Sequence, residues 1–108
     1  MDITFRTRKL AKTFNEASAL QKAYGSRMAR TIMVRMAVLK AAHNLAQVPA
    51  LPPERRHQLR GDRSWQYAVD LVHPYRLVLE PLSDGGNRVD AAVEQITAIM
   101  IVDVVDYH

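Results

Sequence analysis

The segment from Arg55 to Arg63 concentrates side chains that bind phosphate and exchange protons. It contains four arginines and one histidine within nine residues, in the order RRHQLRGDR. A planar guanidinium matches two phosphate oxygens at once, and histidine titrates near neutral pH. Such a segment has the parts to bind a phosphodiester and to help cleave it. Taken alone, a run of charge is more often a solvated loop, with Gly61 and Asp62 as ordinary turn residues.

Arg76 is a more specific candidate because it lies inside an apolar segment, between Tyr75 and Leu77. On a concave sheet face, its guanidinium would be aimed at negative charge that develops in a transition state. An arginine on an exposed strand face can equally pair across a hairpin with Asp70 or Glu80. The residue types alone leave both interpretations open.

The sequence Asp106-Tyr107-His108 brings three protic side chains together. His108 could act as a general acid or base, Tyr107 as a donor or stacking surface, and Asp106 as the partner of an imidazole. In an extended segment, Asp106 and His108 share one face and Tyr107 takes the other. A polar chain end without a chemical role is the commoner explanation of such a triplet.

Positive charge is concentrated in the first part of the chain. Residues 1–63 hold 13 Lys or Arg against 4 Asp or Glu, whereas residues 64–108 hold 2 against 7. A basic region on a small domain is typical of a protein that binds nucleic acid, although a merely solvated basic surface fits as well. The absence of cysteine excludes a disulfide framework, a thiolate zinc site and a cysteine nucleophile. The histidines fall in four different predicted elements, so the sequence predicts no metal site.

Hydrophobic periodicity predicts the elements that must position these groups. They are a strand over 2–6, helices over 8–23 and 26–47, a hairpin over 67–72 and 75–80, and a final strand over 96–105. The final strand is apolar on both faces, which is typical of a central strand covered on both sides. The order β-α-α-β-β-β predicts one α+β domain over residues 1–108, with a helical hairpin packed against a small antiparallel sheet.

The predicted helix over 26–47 is apolar on two sides, so it must contact two structures. One could be the sheet, and the other the first helix or a partner protein. The first stripe consists of Met28, Ile32, Met36 and Leu39, and the second of Val34, Val38, Ala41 and Leu45.

Four short motifs together resemble the HigB (host inhibition of growth) toxins, which belong to the RelE/ParE superfamily of bacterial type II toxin–antitoxin systems. The motifs are LRGDR at 59–63, QY at 66–67, YRL at 75–77 and VDYH at 105–108. The similarity extends over nearly the whole chain and implies a RelE-like fold with the element order predicted above. The pairing of the GDR segment with the terminal DYH is its most specific part.

The resemblance implies a small endoribonuclease that cuts mRNA in the ribosomal A site and needs neither a metal nor another cofactor. By that likeness His57, Arg76, Asp106, Tyr107 and His108 are the expected catalytic residues. The expected RNA-phosphate contacts are Arg56, Arg60 and Arg63. The 2′-hydroxyl would attack the adjacent phosphorus, with His57 or His108 as the base and Asp106 assisting. Which histidine is the acid and which the base stays open.

The expected partners are mRNA, the ribosome and a cognate helix-turn-helix antitoxin of the HigA kind. The toxin alone is expected to be a monomer that forms a hetero-oligomer with its antitoxin. We expect a cytoplasmic protein without a membrane partner, because the sequence has no signal peptide and no apolar run of about 20 residues. Two other functions remain open: a ParE-like toxin that acts on DNA gyrase without cleaving RNA, and a non-catalytic nucleic-acid-binding or regulatory module.

Overall fold

The protein is described by a computed structural model over residues 1–106, which has an α+β fold. Within that range the chain forms three α-helices and five β-strands, with short 3-10 turns between them. The elements are β1 (Asp2–Phe5), α1 (Arg8–Phe14), α2 (Ala17–Tyr24), α3 (Ser26–Ala41), β2 (His57–Gln58), β3 (Tyr67–Asp70), β4 (Tyr75–Leu82) and β5 (Ala98–Asp106). The predicted α+β class is confirmed, and the order differs from the prediction by a third helix and by the additional strand β2.

The prediction of a single helix over 8–23 is wrong, because the helix is interrupted at Asn15 and Glu16. Thr7 caps α1 by accepting a hydrogen bond from the Leu10 backbone N–H at 3.1 Å, and Glu16 is extended, with φ −127° and ψ 118°. In one straight helix, Phe14 and Leu20 would lie about 120° apart around the axis. The break allows both side chains to be buried in the same core.

The helix predicted over 26–47 also ends early, at Ala41. Ala42 is extended, with φ −70° and ψ 138°. Leu45 follows on a 3-10 turn, where its backbone N–H donates to the carbonyl of Ile96 at 2.9 Å. The first predicted stripe is buried throughout, whereas Val34 in the second stripe is half exposed. The second stripe is divided: Val38 packs against the core, and Leu45 is buried in it beyond the end of the helix.

The sequence predicted an antiparallel sheet, but the observed sheet is mixed. Its strand order is β1-β5-β4-β3-β2, and β1 runs parallel to β5 while the other pairs are antiparallel. A parallel pair requires a long crossover connection. Here the crossover includes the helices and the β2–β4 hairpins, so β5 arrives beside β1 in the same direction.

The two faces of the sheet differ in what covers them. The helices cover one face, where Ile32, Leu77 and Ile101 are fully buried in the main core. The other face, here called the open face, carries a small apolar cluster of Leu59, Ala68 and Val78. Strand β5 is central, as predicted, but no described helix covers its open face. Polar side chains on the open face can therefore contact solvent.

Candidate functional site

A solvent-open pocket on the open face brings together four of the residues predicted from sequence. The pocket has a volume of about 340 Å³. Its lining residues are His57, Gln58, Leu59, Arg60, Arg63 and Arg76. The histidine comes from β2, Arg60 and Arg63 from the following turn, and Arg76 from β4. Three cations and one imidazole thus surround a space that suits an anionic ligand.

Local backbone bonds hold Arg60 and Arg63 at the rim of the pocket. Gly61 begins a 3-10 turn with φ +65°, a conformation that glycine adopts without strain. The loop closes where the Leu59 N–H donates to the Gln66 carbonyl at 2.9 Å and the Gln66 N–H to the Arg63 carbonyl at 2.8 Å. Both arginines are exposed, and both line the pocket.

A side-chain cluster then ties the loop to β4. The Trp65 Nε1–H donates to Oε1 of Glu80 at 2.7 Å. Arg88 covers the indole, with its guanidinium carbon 4.2 Å from the ring centre, and its Nε lies 3.8 Å from the same Glu80 oxygen. Through these contacts Trp65 anchors the loop to β4.

The hydrogen bond of His57 defines which ring nitrogen carries the proton. Nδ1 lies 2.7 Å from the backbone carbonyl oxygen of Arg55. A carbonyl only accepts, so Nδ1 is the donor and Nε2 of the neutral ring keeps its lone pair. Nε2 is buried and has no hydrogen-bond partner among the described residues. In this tautomer Nε2 is the ring nitrogen that can accept a proton.

Arg76 has an acidic partner across the hairpin. Asp70 is its register partner in β3, and Oδ1 of Asp70 lies 3.7 Å from Nε of Arg76. The same carboxylate accepts two hydrogen bonds from Arg55, at 2.7 Å from Nε and 3.0 Å from Nη2. These bonds raise the pKa of Arg55. Of the two pairings the sequence left open for Arg76, Asp70 is the one present, and Arg76 lines the pocket as well.

The remaining predicted residues lie elsewhere or outside the described range. Arg56 donates from Nε to the Val48 carbonyl at 2.9 Å and does not line the pocket. Asp106 ends β5 opposite Tyr75 and does not line it either. The positions predicted for Tyr107 and His108 lie outside the described residues.

Arg35 is a residue that sequence reasoning missed. It is 8% exposed, and its Nε donates to the Asp70 carbonyl at 2.6 Å while Nη2 donates to the Pro53 carbonyl at 3.3 Å. The signal was available: Arg35 follows Ile32 by three residues and precedes Leu39 by four, so it lies in the buried stripe of α3. An arginine at such a position needs buried acceptors.

Within residues 1–106, no three His, Asp or Glu side chains are grouped so that they could hold a metal ion. None of the described helices has the length and apolar character needed to cross a membrane. Compared with known proteins, the chain matches no family model, no curated protein and no solved structure.

Proposed function

We propose that this protein is a metal-independent endoribonuclease and the toxin of a type II toxin–antitoxin system, with a RelE-like fold. The observation that carries the proposal is the pocket on the open face, in which His57 meets Arg60, Arg63 and Arg76. These are the residue types that RNA cleavage without a metal requires. Cations stabilise the charged transition state, and an imidazole transfers the proton.

The proposed reaction is an attack of the RNA 2′-oxygen on the neighbouring phosphorus. Nε2 of His57 removes the 2′-hydroxyl proton, the O2′–P bond forms and the P–O5′ bond breaks. An acid then protonates the departing 5′-oxygen, and in this proposal His108, the other histidine among the residues that the resemblance to HigB toxins implies, takes that role. Arg76 and Arg63 hold the phosphate oxygens, while Tyr107 orients the RNA.

The proposed partners follow from the same resemblance. The substrate is mRNA on the translating ribosome, and a helix-turn-helix antitoxin neutralises the toxin in a hetero-oligomer in the cytoplasm. The excess of Lys and Arg in residues 1–63 supports a polyanionic partner.

The test is to induce the protein in bacterial cells and to map cuts in a translated message by primer extension. We expect cuts that disappear in the Arg76→Ala and His108→Ala variants. Arg30→Ala is the matched control, because it removes an exposed arginine from α3 on the helical side. Cuts that persist in both site variants would refute the assignment of the residues. Growth arrest with DNA damage and no RNA cuts would instead support action on DNA gyrase.

A further inference from the structure

We propose that Asp70 is a positioning residue that aligns two groups of the pocket at once: Arg76 directly, and His57 through Arg55. This inference deepens the proposed function, and its role in cleavage rests on that function. The alignment itself is a property of the folded protein. It can therefore be tested without RNA.

The first branch runs from Asp70 to His57. Both carboxylate oxygens of Asp70 bind the Arg55 guanidinium, at 2.7 and 3.0 Å. Arg55 has φ +47°, a left-handed conformation that residues with a side chain seldom adopt. The two-point bond to Asp70 and the bond from the Arg55 N–H to the Leu51 carbonyl at 3.0 Å hold it there. In this conformation the Arg55 carbonyl accepts the Nδ1–H of His57 at 2.7 Å.

The second branch runs from Asp70 to Arg76. Oδ1, which accepts from Nη2 of Arg55, also lies 3.7 Å from Nε of Arg76. The side chain of Arg76 is 29% exposed, as is that of Asp70. One carboxylate oxygen therefore binds Arg55 and also forms an ion pair with the guanidinium of Arg76, which lines the pocket.

The carboxylate is itself held by a rigid frame. The Asp70 N–H donates to the Glu54 carbonyl at 2.8 Å, and its carbonyl accepts from the buried Arg35 at 2.6 Å. Because Arg35 belongs to α3, the main core positions the backbone from which the carboxylate projects. A rigid support of this kind is what holds a reactive group within a fraction of an ångström.

The test reads the tautomer of His57 in the free protein by ¹⁵N NMR of the imidazole nitrogens, at a pH where the ring is neutral. In the wild type we expect Nδ1 to carry the proton. In Asp70→Asn the Arg55 clamp weakens, the carbonyl no longer holds the ring, and we expect the proton to redistribute towards Nε2. Arg55→Lys keeps the charge but cannot bind both oxygens in the same plane. Arg55→Lys should therefore move the His57 proton towards Nε2 as well, and it replaces Asp70→Asn in the test if that variant does not fold.

Asp103→Asn is the matched control. It also replaces a carboxylate by an amide, but this carboxylate pairs with Arg6, at 3.9 Å, and not with Arg55. It should leave the His57 signals unchanged. In the RNA assay, we expect Asp70→Asn to cut at least about tenfold more slowly, because small misplacements of reacting groups cost large factors in rate. Folded Asp70 and Arg55 variants with unchanged His57 signals would overturn the inference, whatever their activity. A shifted tautomer in a protein whose wild type cuts no RNA would refute the proposed function and leave the positioning role intact.

Discussion

Glu80 offers the sharpest test of how the pocket loop is held. Replacing it by alanine removes the acceptor of the Trp65 Nε1–H, a bond of 2.7 Å to a part-buried carboxylate. A hydrogen bond to a charged group contributes about 1.5–3 kcal/mol, and partial exposure favours the lower end. The Arg88 pair adds under about 0.5 kcal/mol, because the side chain of Arg88 is 58% exposed. We expect Glu80→Ala to lower the free energy of unfolding by about 2 kcal/mol.

The assay is urea unfolding followed by far-ultraviolet circular dichroism. With a slope of about 1.5 kcal/mol per molar urea, a loss of about 2 kcal/mol moves the midpoint down by about 1.3 M. Glu80→Gln keeps an acceptor oxygen and loses only the charge, so its loss should be about half as large. Glu94→Ala, at an exposed site on the turn before β5, should move the midpoint by less than about 0.3 M.

The Trp65→Phe variant completes the test, because it keeps an aromatic ring and removes the indole N–H donor, together with part of the ring system. In that background, Glu80→Ala should cost about 1.5 kcal/mol less than in the wild type. Two results would refute the reasoning: equal losses for Glu80→Ala and Glu80→Gln, or full additivity of Glu80→Ala with Trp65→Phe. Either would mean that the short N–H to carboxylate contact does not anchor the loop.

Three further predictions concern the core, a titrating group and the pocket. Ile32→Ala should destabilise the protein by about 2–5 kcal/mol in chemical denaturation, because the side chain is 0% exposed. Val34→Ala, two residues along α3 and 50% exposed, should cost less than about 0.5 kcal/mol. Burial, with a smaller contribution from the charge of Asp103, raises the pKa of Tyr24 above its usual 10.0. The folded state therefore holds the phenolic proton more tightly than the unfolded state, so stability falls as pH rises above 10.0 through the higher folded pKa. Ultraviolet titration should show that Tyr24 ionises at a higher pH than a free phenol. The Asp103→Asn variant should lower the pKa of Tyr24 part of the way towards its usual value. Arg63→Ala should weaken binding of a single-stranded RNA and reduce the slope of log affinity against log salt by about 0.7 in a salt titration.

The sequence predicted those elements whose periodicity is local. The hairpin strands were predicted within a few residues because their side chains alternate between the two faces of the sheet. Strand β5 was predicted as closely because its apolar run is also a local pattern. The break at Asn15 and Glu16 was missed because the apolar spacing of Leu10, Phe14 and Ala17 continues through it. The parallel pairing of β1 and β5 depends on a contact between distant parts of the chain, which no local pattern contains.

For the pocket, the sequence identified the residue types but not the contacts that orient them. The composition of residues 55–63 identified His57 and the arginines as candidates. However, β2 has only two residues, too few to show a period, so the strand that aims His57 was missed. Asp70 and Glu80 were equal candidates as partners of Arg76. Only the hairpin register assigns Asp70 to Arg76 and leaves Glu80 to Trp65.

The parallel pairing of β1 with β5 also determines when the sheet can be completed during synthesis. Asp2 pairs with Ala98 and Phe5 with Ile101, so the first strand made must wait for the last. At about 5–20 residues per second, the ribosome needs roughly 5–20 seconds to make the intervening chain. The β2–β4 hairpins can form only towards the end of that interval, once Leu82 has been made. Until β5 follows, β1 has no neighbour and the apolar stripe of α3 lacks Ile99 and Ile101. All residues of the arginine pocket are thus made before β5, whereas the core that supports the pocket closes only when β5 is added.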